Sequence, residues 1–353
     1  MQRPQGLPDG LLADMPKAEL HLHLDGSLRP ATALELARRR GLVTRETTAR
    51  SMRRRLVAPP RCADQAELLR AFELPIALLQ DEDALERSAR ELVLDVATDG
   101  TRYVEIRWAP ALHTRDGLSV AQVIAAVAAG VAGGGTAASI TARLIVTAMR
   151  SHEPADNVLV AEAAGRAADR GVVGFDLAGP EAAFPDPTAH RRAFDAARAA
   201  GLHVTLHAGE WGGAAQVRSS LRLDPERIAH GAAAIEDPAL MAELTARGVT
   251  LDLCPTSEVQ AGLYPAVAAH PLRALVQAGV PVTLSTDDRT VSSLTLVEEY
   301  RRAVHQAGLT PAELWRVDRH ALDAAFGDEH ALAPLRAAFD RWAAENLALS
   351  APG

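Results

Sequence analysis

Two histidines one residue apart, His21 and His23, stand in the run AELHLHL. Residues i and i+2 of a strand face the same way, so both imidazoles can address one ion. Further along come His207-Ala208-Gly209-Glu210, His230-Gly231 and Thr286-Asp287-Asp288. Three imidazoles and one carboxylate from this set would suffice for a Zn2+ site with a position left for water. Each fragment is weak by itself. An HxH pair on an edge strand can simply be solvated, and a lone histidine can be a hydrogen-bonded core residue. Asp287-Asp288 can open a helix as N-cap and first-turn acid.

The elements that must position these residues give the set its weight. Short β-like runs begin near Ala18, Arg102, Ile140, Val172, Leu202, Arg227, Val249 and Pro281. Helical patterns lie between them at 120–131, 158–170, 190–200, 238–247 and 271–278, and Gly171, Gly201, Gly248 and Gly279 follow several of them as C-cap glycines do. Strand alternating with helix predicts a parallel sheet, and eight repeats predict an α/β fold closed into a (β/α)8 TIM-type barrel. An open, doubly wound sheet is the alternative. Residues 29–100 hold several helical patterns broken by Pro59-Pro60. They read as a helical insertion after strand 1 that forms a lid over the barrel mouth. Extra helices follow Leu294, and residues 1–353 read as one domain. Catalytic residues of such barrels sit at the C-terminal ends of strands. His21 and His23 end strand 1, His207 to Glu210 end strand 5, His230 ends strand 6, and Asp287-Asp288 end strand 8. Four weak signals at four independently assigned strand ends are hard to obtain by chance.

Composition removes whole classes of chemistry. Acidic residues outnumber basic ones, 45 to 37, for a net charge of −8, which argues against nucleic acid or an anionic membrane as partner. Of the basic residues 36 are arginine, and Lys17 is the only lysine. No Gly-rich loop precedes it, so a phosphate loop is excluded, and lysine-dependent covalent catalysis would have to use this one residue. No lysine ends strand 4, where Phe175-Asp176-Leu177 stands, so a carbamate bridge between two metals is excluded and one metal is expected. No apolar run is read as reaching about 18 residues, so no membrane span is expected. Met1 to Met15 has two prolines and no stretch apolar enough for a signal peptide. Cys62 and Cys254 make neither a metal spacing nor a disulfide framework, and a cytoplasmic protein is expected. The pattern leaves oligomeric state open. Among the other histidines, His203 lies deeper on strand 5, and His152 follows strand 3 at the active end. His113, His190, His270, His305, His320 and His330 are expected on the surface. Cys254 is expected to be a buried thiol, and Arg38–Arg40 and Arg53–Arg55 to be solvated helix faces.

The stretch from Pro16 through Lys17-Ala18-Glu19-Leu20-His21-Leu22-His23-Leu24-Asp25-Gly26-Ser27-Leu28-Arg29 to Pro30 resembles the N-terminal signature of adenosine deaminases. Gly174-Phe175-Asp176-Leu177-Ala178-Gly179, His207-Ala208-Gly209-Glu210, Ile228-Ala229-His230-Gly231, Cys254-Pro255-Thr256-Ser257 and Ser285-Thr286-Asp287-Asp288 follow in that family's order and spacing. The likeness runs from about Pro16 to beyond Tyr300. It implies that His21, His23, His207 and Asp287 bind one Zn2+, that Glu210 protonates the purine at N1, and that His230 takes a proton from the attacking water. It further implies that Asp288 helps hold purine and water, and that His23, the Gly179 backbone and Asp25 contact substrate, Asp25 at the sugar. The implied reaction converts adenosine or 2′-deoxyadenosine to the inosine product and ammonia. Because Glu210 must be protonated when substrate is bound, its pKa should be raised in a dry pocket. The chain departs from the pattern at Glu258, where asparagine is expected, and at Trp211, where a small residue is expected. It departs again at Ala229 for glycine and Arg289 for proline. Trp211 and Glu258 are expected beside the pocket, so they bear on substrate identity. The alternatives are a deaminase of another 6-aminopurine (adenine, a modified adenosine or an adenine-bearing intermediate), a metal hydrolase of esters, cyclic amides or phosphotriesters, and an inert nucleoside-binding barrel.

Overall fold

The computed structural model describes residues 9–347. Residues 1–8, part of the stretch read above for leader character, lie outside the described residues. Eight strands form one sheet in sequential order: β1 (Lys17–His23), β2 (Thr101–Trp108), β3 (Thr141–Met149), β4 (Val172–Ala178), β5 (His203–Ala208), β6 (Arg227–His230), β7 (Thr250–Leu253) and β8 (Val282–Leu284). Every pairing between neighbours is parallel. The strands are buried almost throughout, as a parallel sheet covered by helices requires. β8 is short, and the seam to β1 is closed beyond it. Leu22 bridges Asp287, His23 N–H donates to the Asp287 carbonyl at 2.8 Å, and Asp287 N–H donates to the His21 carbonyl at 3.1 Å. Ser285 Oγ accepts from the Leu20 and His21 amides at 3.3 and 3.1 Å. The seam therefore places His21, His23 and Asp287 side by side, which rules out the open sheet.

Helix α1 (Asp9–Asp14) precedes the barrel. Between β1 and β2 run α2 (Pro30–Arg39), α3 (Ala49–Leu56), α4 (Gln65–Leu78) and α5 (Glu82–Thr98). Pro59-Pro60 lies in the break between α3 and α4. α5 presents Leu85, Ala89, Leu92, Val93 and Val96 to the core and takes the place of the barrel's own first helix. The outer ring continues with α6 (Val120–Ala138), α7 (Pro154–Gly165), α8 (Arg191–Ala199), α9 (Gly213–Ser220), α10 (Pro238–Arg247), α11 (Pro255–Gln260) and α12 (Leu272–Gln277). α13 (Leu296–His305), α14 (Pro311–Ala324) and α15 (Glu329–Asn346) close the chain. α10 ends where expected because Gly248 adopts φ 66°, and its N–H bonds back to the Leu244 carbonyl.

α6 corrects two expectations. It runs to Ala138 rather than stopping near 131, because Ser119 and Gln122 nucleate it with a capping box and alanines carry it through the glycines. It is also long and apolar enough, by length and composition, to cross a membrane. The polar Gln122 and the glycines had disguised that run in the sequence. Here its apolar side packs into the barrel layer: a Cβ on Gly130 would stand 2.1 Å from the Glu86 carbonyl, and one on Gly134 2.7 Å from the Val93 Cβ. The glycines let α6 lie directly on α5.

The barrel interior beneath the mouth is polar. Arg227 donates to Glu105 Oε2 at 2.5 Å and to Asp252 Oδ2 at 3.0 Å. Arg107 lies 3.6 Å from Asp176 Oδ2 and 3.5 Å from Asp252 Oδ2, and bonds the Leu20 carbonyl at 2.8 Å. All five charged groups are buried, so they hold one another in place of an apolar filling. Lys17 opens β1 at the far end from the mouth. It is buried and donates to the Met15 and Ala13 carbonyls at 2.6 and 3.2 Å.

Candidate active site

At the C-terminal ends of the strands the histidines of β1 and β5 meet. His23 Nε2 lies 3.2 Å from His21 Nε2 and 3.1 Å from His207 Nε2. Asp287 Oδ1 lies 3.1 Å from His21 Nε2 and 3.4 Å from His23 Nε2. Four donors on a tetrahedron with bonds of about 2.0–2.1 Å would be about 3.3–3.4 Å apart. Facing imidazole nitrogens at these separations need either a proton or a cation between them. Burial holds His21 and His207 below the usual imidazole range and brings His23 down to about 4, so all three are neutral with lone pairs available. Burial works to raise the Asp287 pKa, but the adjacent His21 outweighs it and keeps the group ionised. This donor set fits a divalent cation.

Two further groups approach the same point. Donor atoms of His21, His207 and His230, and separately of His21, Cys254 and Asp287, lie within 4.8 Å of one another. Burial keeps the Cys254 thiol protonated, and His230 is held from behind by Glu258, so neither competes with His23. The ligand orientation is built into the strands below. His207 Nδ1 donates to Asp176 of β4 at 3.1 Å, which leaves Nε2 unprotonated toward the cluster. Thr147 of β3 donates to the same Asp176 at 3.1 Å. Ser257 Oγ donates to Asp287 Oδ2 at 2.6 Å.

Glu210 and His230 face each other beside the cluster, with Oε2 3.9 Å from Nε2. Burial pushes the Glu210 pKa up to about 7. Burial opposes the charged form of His230, yet Glu210, Glu258 and Asp287 carry its pKa up to about 10. Protonation of Glu210 removes the largest of these supports, and a cation beside Asp287 opposes the charge on that imidazole, so both favour the neutral base. Burial and the neighbouring Asp287 push Asp288 far above the carboxylate range, so it is a neutral acid. Its carboxyl rests on Gly26, where a Cβ would stand 1.7 Å from Oδ1, so no side chain fits there. Asp25 Oδ2 is 3.8 Å from His113 Nε2, and Asp25 Oδ1 is buried with no protein partner. Burial works to raise the Asp25 pKa, but His113 and His23 hold it below the usual value.

These groups line a cavity of about 240 Å3 together with Gly179, Thr147 and Met149. α4 supplies the opposite wall through Gln65, Leu68, Leu69, Phe72 and Ile76. Among the described residues no arginine or lysine lines it. Arg150, at the end of β3, is spent on the His207 and Phe184 carbonyls at 2.8 and 3.1 Å.

Several placements differ from expectation. His113, His190 and His270 are buried, not on the surface. His113 is tucked under the Pro110–His113 turn and bonds the Leu79 carbonyl at 2.8 Å. His190 receives Asn157 Nδ2 at 3.0 Å, and His270 meets Glu258 at 2.7 Å. His320 is half-buried against Thr250, while His305 and His330 are exposed. His203 sits at the lower end of β5, paired with Glu226 at 2.7 Å. Trp211 and Glu258 do not line the cavity. Trp211 packs among Ala58, Cys62, Leu68 and Ala71, tying the loop after β5 to α4, and Glu258 lies behind His230. Sequence reasoning missed Glu181. Its carboxylate accepts the amides of Gly209, Trp211 and Gly212 at 2.7, 2.7 and 3.0 Å, fixing the loop that carries Glu210. An acid three residues past the end of strand 4, just after Gly179-Pro180, was the available signal.

A barrel that gathers imidazoles from β1 and β5 and a carboxylate from β8 around one point is an amidohydrolase-type hydrolase. The family model for adenosine deaminase matches residues 16–342. The adenosine deaminase of Enterococcus faecalis is 32% identical over 320 residues, 91% of this chain and 94% of that one. Among solved structures, the adenine deaminase of Arthrobacter aurescens superposes with TM-score 0.86 at 26% identity, covering 94% of this chain and 99% of that one. The N6-methyl-AMP deaminase of Arabidopsis thaliana gives 0.83 at 28%, covering 96% and 100%. An amidohydrolase from Burkholderia ambifaria with bound Zn gives 0.86 at 26%, covering 98% of each chain. The chain belongs to the adenosine deaminase family and is a hydrolytic deaminase.

Proposed function

We propose that this protein deaminates adenosine and 2′-deoxyadenosine, using one Zn2+ held by His21, His23, His207 and Asp287. The observation that carries the reading is the Glu210–His230 pair, a protonatable acid and an imidazole set against a cluster of neutral histidines. When bound, the cation supplies Lewis acidity that brings the pKa of water from 15.7 to about 7. Glu210 gives its proton to purine N1 as water adds to C6, which relieves the charge that would build on the ring. His230 Nε2 accepts the proton released by the water and returns it to the departing amine. As the C6–N bond breaks and ammonia leaves, the added hydroxyl gives its remaining proton back to Glu210, which restores the acid and leaves the 6-oxo product. Asp288, as a neutral acid, donates a hydrogen bond to the ring or the water, and the Gly179 backbone meets the ring edge. α4 and the helices before it act as a lid within one catalytic domain, and their apolar wall keeps water from competing for Glu210.

The cavity also favours a neutral nucleoside over its rivals. A 5′-phosphate such as that of N6-methyl-AMP would meet no arginine or lysine among the described residues that line it. A free base would leave the unpartnered Asp25 Oδ1 without a hydroxyl to accept from. Asp25→Ala should lower kcat/KM for adenosine about 10- to 100-fold, the worth of a hydrogen bond to a charged group. It should leave the slow turnover of adenine unchanged. An equal loss on both substrates, or none on adenosine, would contradict the sugar contact.

A further inference from the structure

Behind the candidate base lies a second buried histidine that the proposed reaction does not use. Leu272 N–H donates to His270 Nδ1 at 3.0 Å, so that nitrogen carries no proton and the proton of neutral His270 sits on Nε2. His270 Nε2 therefore donates to Glu258 Oε2, at 2.7 Å. Glu258 Oε1 accepts the Cys254 amide at 3.0 Å and faces His230 Nδ1 at 3.3 Å. With His270 donating to one oxygen and a backbone amide to the other, Glu258 has only acceptor capacity left for His230. The Tyr264 ring stands edge-on to His270 with centroids 4.7 Å apart and helps hold that imidazole. All three members of the row are buried.

We infer that Glu258 and His270 are positioning residues for the deamination: the row His270–Glu258–His230 fixes His230 with its proton on Nδ1 and its Nε2 lone pair turned toward the cavity. The direction of the row is set at its far end, by a backbone amide that cannot change its role. A carboxylate on the rear nitrogen of a histidine base orients the ring, selects its tautomer and stabilises the imidazolium formed in the reaction. His230 itself touches substrate; Glu258 and His270 act only through it. The inference rests on His230 being the proton acceptor.

The test uses the zinc-loaded full chain and compares Glu258→Gln, His270→Ala and His230→Ala by steady-state kinetics, zinc content and 15N NMR of imidazole tautomers. Glu258→Gln should lower kcat about 10- to 100-fold with KM within about twofold, retain zinc, and shift the His230 proton away from Nδ1. His270→Ala leaves the Glu258–His230 contact in place but frees Glu258 to swing. It should lower kcat less, with the same tautomeric mixing, and it carries the test should Glu258→Gln not fold. Wild-type kcat together with an intact Nδ1–H signal in the folded variants would overturn the inference. Substantial turnover by His230→Ala would instead overturn the assignment of the base on which it rests.

Discussion

Glu210→Gln keeps its zinc and loses about 10^3-fold in kcat with adenosine, within the 10^2- to 10^4-fold span of positioned general acids. The amide fills the same space but has no acidic proton for N1. It still receives the support of Glu181, which holds the backbone on both sides of residue 210. The same assignment fixes the pH dependence. The wild-type acid must be protonated, and its pKa is about 7, so kcat/KM falls as pH rises through about 7. The stability sign follows. A carboxyl whose folded pKa is raised from 4.5 to about 7 contributes stability that is full below 4.5 and is lost as pH rises through 7. Glu210→Gln therefore gains thermal stability relative to wild type at pH 8–9, while losing its turnover at every pH. A near-wild-type rate in this variant would remove Glu210 from the chemistry.

Exhaustive chelation abolishes turnover, and one equivalent of Zn2+ per chain restores it. The three imidazoles already lie below the usual range, with His23 at about 4, so little proton release accompanies binding at neutral pH. Reloading should then be nearly independent of pH above about 6. Binding to the folded state alone adds about 4 kcal/mol at a thousandfold excess over Kd, which a thermal melt reads as a clear rise in Tm. Asp287→Ala should lose both effects, since it removes the only charged member of the donor set. Full activity from protein containing no metal would contradict the account.

Much of this was legible in the sequence because a parallel barrel turns order along the chain into position around a ring. The i, i+2 pairing of His21 and His23, the ends of β5 and β6, and the paired acids after β8 needed only strand assignments to converge. The glycine stops at 201 and 248 reported helix ends by local geometry alone. The supporting residues were not legible, because their partners come from distant loops. His270 looks like any histidine before a proline until Glu258 is seen beneath it, and His113 looks exposed until the turn after β2 folds it inward. Glu258 and Trp211 stood out as departures, but only the packed structure shows that neither lines the cavity. The buried set of Arg107, Asp176, Arg227, Glu105 and Asp252 gave no periodic signal, since charged residues on alternating strand positions read as a solvated face. α6 misled in the other direction, its glycines reading as an end when they are the contact with α5.

The central claim is that a cavity lined by no arginine or lysine among the described residues, with Asp25 at its edge and Glu210 at its reacting centre, accepts a neutral adenine nucleoside. Product analysis with the zinc-loaded protein on adenosine, 2′-deoxyadenosine, adenine and N6-methyl-AMP tests it most directly. The account predicts the matching inosine and one ammonia per turnover from both nucleosides, with kcat/KM at least about 10^2-fold above that for the free base or the nucleotide. Turnover of the free base or the nucleotide in preference, with neither nucleoside deaminated, would contradict it.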